Sequence, residues 1–66
     1  MKNSVKVERA ILDITQQQLA DAIGVSRNTI NSIESGKYVP STVLALKIAR
    51  HSGKPVDVIF QLDDND

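Results

Sequence analysis

The sequence predicts an all-α fold of five short helices, the second and third joined as a helix-turn-helix. Three observations carry this reading. Apolar residues recur at three- and four-residue intervals. Thr15, Ser26 and Ser41 each stand where an N-cap is needed, just ahead of such a stripe. Gly24, Gly36 and Gly53 each stand just past the end of one, where the chain must turn left-handed to leave a helix.

Helix 1 is expected from Val5 to about Leu12, with Val5, Ile11 and Leu12 available to the core. Thr15 caps helix 2, whose stripe is Leu19, Ala20 and Ile23; the small Ala20 lets a second helix approach closely. Gly24 makes the turn, and Val25 is placed to plug the gap between the helices. Ser26 caps helix 3, which turns Ile30 and Ile33 inward and leaves Arg27, Asn28 and Thr29 on its first turn. Gly36 ends it, so the helix-turn-helix runs over about 15–36. Ser41 caps helix 4, with the stripe Val43, Leu44, Leu46, Ile48 and Ala49. Pro55 suits the first position of a short helix 5 carrying Val56, Val58 and Ile59. Phe60, Gln61 and Leu62 continue as an extended segment.

Length and composition set bounds. The 66 residues are read as one domain, 1–66. A chain this short buries only about 60% of its unfolded surface, so self-association would help it. There is no cysteine, which excludes disulfides and thiolate metal sites. No apolar run approaches the ~18 residues of a membrane span, and a soluble, cytoplasmic protein is expected. The formal net charge is zero but unevenly spread. Residues 1–54 hold all eight basic and four acidic residues, a net of +4; residues 55–66 hold Asp57, Asp63, Asp64 and Asp66, a net of −4. A basic face with an acidic end fits a phosphate-rich partner, although an acidic tail can also serve solubility alone.

A second helix that opens with polar side chains suited to base edges is most often used to read the DNA major groove. At Thr15, Gln16, Leu19, Ala20, Gly24, Val25, Ser26, Ile30, Ile33, Glu34, Gly36 and Lys37 the chain resembles the helix-turn-helix family of phage repressors, Cro proteins and their bacterial relatives, the XRE family. The likeness runs on through Pro40-Ser41, Leu44 to Leu46, Ile48 and Ala49 to Ile59-Phe60, nearly the whole chain, and is nearest to minimal stand-alone repressors. It implies a compact, five-helix, lambda-repressor-like domain that binds double-stranded DNA as a twofold homodimer. The family usually carries a large aliphatic at the position of Glu8; here Val7 stands beside it instead.

The resemblance places Arg27, Asn28 and Ser32 at base-reading positions. Arginine pairs with guanine O6 and N7 and asparagine with adenine N6 and N7, each for ~1–3 kcal/mol of discrimination. Thr29 and Asn31 can reach a thymine methyl or a phosphate. Gln16, and more weakly Gln17, sit at the start of helix 2, where side chain and backbone N–H groups can grip phosphate. Lys37 and Tyr38 follow the recognition helix, where the family anchors the DNA backbone; Tyr38 can equally pack its ring on the core. Arg9 and Glu34 match a structural ion pair that fixes helix 1 against helix 3, and neither is expected to touch DNA.

The dimerisation segment is expected at about 55–62, with Val58, Phe60 and Leu62 as contacts. Once the core has closed, these are more apolar surface than a small domain should show. Phe60 has the alternative of sealing the monomer core. By resemblance, residues 1–4 and 60–62 can pair as short strands. A twofold dimer sets two recognition helices about 34 Å apart, matching a short near-palindromic operator. Repression is the expected sign, because no second domain is foreseen. No cofactor, metal ligand set or small-molecule effector is evident; His51, the lone histidine, has no partner at helical spacing. Two rivals are weighed: an antitoxin-like module that binds a protein partner and represses its own operon, for which the acidic tail looks short, and an enzyme, for which no nucleophile–base pair or carboxylate pair stands out.

Overall fold

A computed structural model describes residues 1–66. Five helices are bracketed by two short strands: β1 Lys2–Asn3, α1 Val5–Leu12, α2 Gln16–Ile23, α3 Arg27–Glu34, α4 Thr42–Ser52, α5 Val56–Ile59 and β2 Phe60–Gln61. The strands pair antiparallel, Lys2 opposite Gln61 and Asn3 opposite Phe60, so the two chain ends close on each other.

The helix boundaries follow from capping chemistry. Thr15 Oγ1 accepts from the Gln18 N–H at 3.0 Å, and Gln18 Oε1 accepts from the Thr15 N–H at 2.8 Å, a reciprocal capping box. Ser26 Oγ accepts from the Thr29 N–H and Ser41 Oγ from the Leu44 N–H, both at 3.2 Å. Each such cap contributes about 1 kcal/mol. Helix α3 ends in a Schellman motif: the Gly36 N–H reaches the Ile33 carbonyl and the Lys37 N–H the Ser32 carbonyl. Gly36 has φ +79°, a conformation that strains any residue with a Cβ. Asp13 ends α1 in the same left-handed region at φ 56°, which aspartate tolerates better than most residues.

Eleven residues form the core: Val5, Leu19, Ala20, Ile23, Ile30, Ile33, Leu44, Ile48, Ala49, Ile59 and Phe60. Ile30, Ile33, Ile48, Ile59 and Val5 are fully enclosed, each worth about 1.5–3 kcal/mol over exposure. Val25 packs half-buried against this cluster from the turn between α2 and α3.

Three expectations are corrected. Ile11 and Leu12 do not enter the core; α1 turns Val5 and Glu8 inward, so Val7, Ala10 and Ile11 lie on its outer face. The inward face carries positions 5 and 8, one turn apart, and a charged residue hid this register. On α4, Leu44, Ile48 and Ala49 are buried while Val43 and Leu46 face outward, because i, i+4, i+5 is the buried stripe. Pro55 is the N-cap of α5 rather than its first residue: its ψ of 147° is extended, and its carbonyl accepts from the Val58 N–H. Phe60 takes the core alternative, 8% exposed, while Val58 and Leu62 lie outside.

Glu8 is the one buried charged residue, 5% exposed. Lys54 Nζ sits 2.8 Å from one of its carboxylate oxygens and 2.9 Å from the other. The pair joins α1 to the α4–α5 connection. Asn3 makes a second tie: its Nδ2 donates to the Ile33 carbonyl at 2.9 Å and its Oδ1 accepts from the Val5 N–H, so β1 caps α1 and grips the end of α3.

Candidate nucleic-acid interface

Helix α3 is amphipathic in the sense the interface needs. Ile30 and Ile33 are buried against the core, which forces Arg27, Asn28 and Asn31 outward; Thr29 and Ser32 are half-buried at the flanks. Arg27 has no acidic partner within 4.0 Å, and neither has Lys37. Both cations are free to meet phosphate or a base edge.

Asn28, Thr29, Ser32 and Tyr38 line one shallow concavity beside the helix. Tyr38 is exposed, not packed on the core, and its N–H donates to the Ser32 carbonyl at 3.2 Å. That bond and the Schellman turn hold residues 37 and 38 against the last turn of α3. Thr29 Oγ1 lies 3.0 Å from Ser26 Oγ, so part of its hydroxyl capacity serves the helix cap.

A second open concavity is lined by Arg9, Asp13, Ile14, Thr15, Gln16, Gln17 and Arg27. The start of α2 and the start of α3 therefore border a common hollow. Backbone N–H groups at a helix start attract anions, and Arg27 adds charge from the neighbouring helix. Gln17 Nε2 is drawn along α2 to Asp21 Oδ1 at 2.8 Å.

Arg9 and Glu34 are brought together, the contact that the family resemblance implied. Arg9 Nε donates to Glu34 Oε2 at 2.8 Å and Arg9 Nη2 to Glu34 Oε1 at 3.2 Å, a bidentate pair with side chains 17% and 5% exposed. Arg9 Nη1 also donates to the Ile14 carbonyl, fixing the loop ahead of α2. Burial disfavours the Glu34 charge, yet the hydrogen bonds from Arg9 and Gln16 prevail and hold its carboxyl below the ordinary value. The same hydrogen bond raises Arg9 above its own.

Sequence reasoning missed what Gln16 does. Its Nε2 donates to Glu34 Oε1 at 3.1 Å and to Asn31 Oδ1 at 3.3 Å. It bridges the ion pair to the recognition helix. Nothing in the spacing of 16, 31 and 34 announced this, since the contact crosses two helices. Lys47, Arg50 and His51 form a separate basic cluster with Ala22 and Ile23, at the far ends of α2 and α4. No helix is long and apolar enough to cross a membrane.

Two helices meeting through a tight glycine turn, with a polar outward face on the second, define a helix-turn-helix domain. A helix-turn-helix family profile matches residues 5–59, and the chain belongs to that family, in its XRE-type branch of DNA-binding transcriptional regulators. It is 48% identical over 66 residues to an uncharacterised HTH-type transcriptional regulator of Methanocaldococcus jannaschii, covering all of both chains. It is 42% identical over 64 residues to the uncharacterised HTH-type transcriptional regulator YgzD of Bacillus subtilis, covering 97% of each. It is also 38% identical over 45 residues to the ImmF control region 10 kDa protein of Bacillus phage phi105, covering 68% of this chain and 50% of that protein.

Proposed function

We propose that the protein is a sequence-specific transcriptional repressor that binds a short near-palindromic operator as a homodimer. The observation that carries this is the outward face of α3. Arg27, Asn28 and Ser32 take base edges in the major groove, with Thr29 and Asn31 beside them. Gln16 and Gln17 at the start of α2, with Lys37 and Tyr38 after α3, take the phosphates on either side. Phosphate contacts give affinity and register, and base contacts give preference.

The segment from Val58 to Leu62 is the twofold contact. Val58 and Leu62 expose apolar side chains, at 48% and 78%, on either side of the buried Ile59 and Phe60. Strand β2 pairs with β1 on one edge only, which leaves its other edge facing outward beside Leu62. Phe60 supports the contact from beneath, as part of the core. Binding across a promoter blocks polymerase.

Selection from a random duplex pool tests this. Enrichment of a near-palindrome, bound two chains per site, is the expected result. Enrichment of a single asymmetric half-site by one chain overturns the dimer.

A further inference from the structure

The hollow beside α3 gives Tyr38 a role beyond holding phosphate, an inference that rests on the DNA reading above. Asn28, Thr29, Ser32 and Tyr38 line it, and Tyr38 is the one aromatic residue among them. The backbone under that ring is fixed. The Ser32 carbonyl accepts from the Tyr38 N–H at 3.2 Å and from the Lys37 N–H at 2.9 Å. The Ser35 hydroxyl donates to the same carbonyl at 3.2 Å. Only two side-chain torsions are left to place the ring. The hydroxyl lies at the far end of the ring, so a phosphate bond from it does not compete with contacts made by the ring itself.

Thr29 supplies a second apolar group. Its Oγ1 lies 3.0 Å from Ser26 Oγ, so the hydroxyl serves the helix cap and the Cγ2 methyl is the branch left over. A ring and a methyl give this hollow an apolar part on a face that is otherwise polar. Of the base edges in the major groove, only thymine presents an apolar group, its C5-methyl.

We propose that Tyr38 is a specificity-determining residue. With Thr29 it bounds a hollow that takes the C5-methyl group of one thymine in each half-site, while Asn28 and Ser32 make polar contacts at its rim.

The duplex selected from a random pool tests this when each thymine of one half-site is replaced in turn by deoxyuridine, a change that removes the methyl alone. Affinities are compared for wild type, Tyr38→Ala, Tyr38→Phe and Thr29→Ser, with circular dichroism on each protein to check folding. At one thymine, deoxyuridine should weaken wild-type binding about fourfold, the worth of one buried methyl. Tyr38→Phe keeps the ring and should keep that sensitivity. Tyr38→Ala and Thr29→Ser should each bind the thymine and deoxyuridine duplexes almost equally, which a residue acting only on phosphate or sugar would not produce. Wild-type affinity indifferent to every replacement overturns the proposal. So does full sensitivity surviving in Tyr38→Ala or in Thr29→Ser, or its loss in Tyr38→Phe. If wild type enriches no sequence from the pool, the DNA reading itself has failed, a result distinct from these.

Discussion

Arg9 and Glu34 face each other across 25 positions of sequence through two hydrogen bonds, 2.8 and 3.2 Å long, and tie the first helix to the recognition helix. The pair is neither fully exposed nor sealed. A surface pair contributes ~0–1 kcal/mol, whereas removing one partner of a buried pair costs ~3–5 kcal/mol. With Glu34 the more enclosed partner, Arg9→Ala is expected to destabilise the fold by roughly 2–4 kcal/mol. Urea denaturation checks this, and a loss below about 1 kcal/mol would reassign the pair to the surface class.

The same pair gives an acid limb to the stability curve. Glu34 titrates below its ordinary value of 4.5 in the folded chain, so its ionised form stabilises the fold. That contribution is complete above pH 4.5 and drains away as pH falls through the folded value. The amino terminus behaves oppositely: its hydrogen bonds to Asp63 and Asp66 raise it above 8.0, so its contribution holds below that pH and is lost as pH rises through the folded value. The urea midpoint of Glu34→Gln followed from pH 6 down to 3 should fall less steeply than that of wild type. Identical acid limbs would place the acid sensitivity elsewhere.

Glu8 and Lys54 make a second case, a buried carboxylate whose side chain is 7% exposed held by a lysine that is 38% exposed. Lys54→Ala should cost roughly 1–3 kcal/mol, between the surface and the buried case, by leaving the Glu8 carboxylate unpaired. The double change Glu8→Leu with Lys54→Met should recover most of that loss or exceed wild type, since apolar packing often matches a buried ion pair. Thermal melts of the three proteins decide it, and a double variant no better than Lys54→Ala would show the pair to be required.

If the proposed dimer forms through this segment, Val58→Asp with Leu62→Asp is expected to shift it toward monomer in sedimentation equilibrium while leaving the helical circular dichroism intact. Both side chains are exposed, so the chain can fold without them. Phe60→Asp is a poor probe of the interface, because it places a charge in the core and should unfold the protein. An unaltered mass for the double variant would move the interface off this segment.

Local chemistry was legible in the sequence and long-range polarity was not. Thr15, Ser26 and Ser41 announced three helix starts, because a cap bonds within three residues of itself. Ile30 and Ile33 announced the buried side of α3, and hence the outward side of Arg27 and Asn28. Ile11, Val43 and Leu46 misled, because a short helix with apolar residues on two faces leaves its register open. Glu8 set the register of α1 through a partner 46 positions away, and Gln16 met Asn31 and Glu34 across a helix pair. Neither contact leaves a periodic trace. Arg9 and Glu34 were found only through the family's pattern.

The central claim is that the outward face of α3 reads base sequence while its surroundings hold phosphate. Equilibrium binding of wild type and Arg27→Ala to the selected duplex and to a scrambled duplex, at two salt concentrations, tests it most directly. Wild type should prefer the selected duplex, and both affinities should fall as salt rises. Arg27→Ala should keep its fold and its weak binding to the scrambled duplex but lose ~1–3 kcal/mol of the preference. Equal affinity of wild type for the two duplexes, or a preference that Arg27→Ala leaves untouched, would contradict the reading.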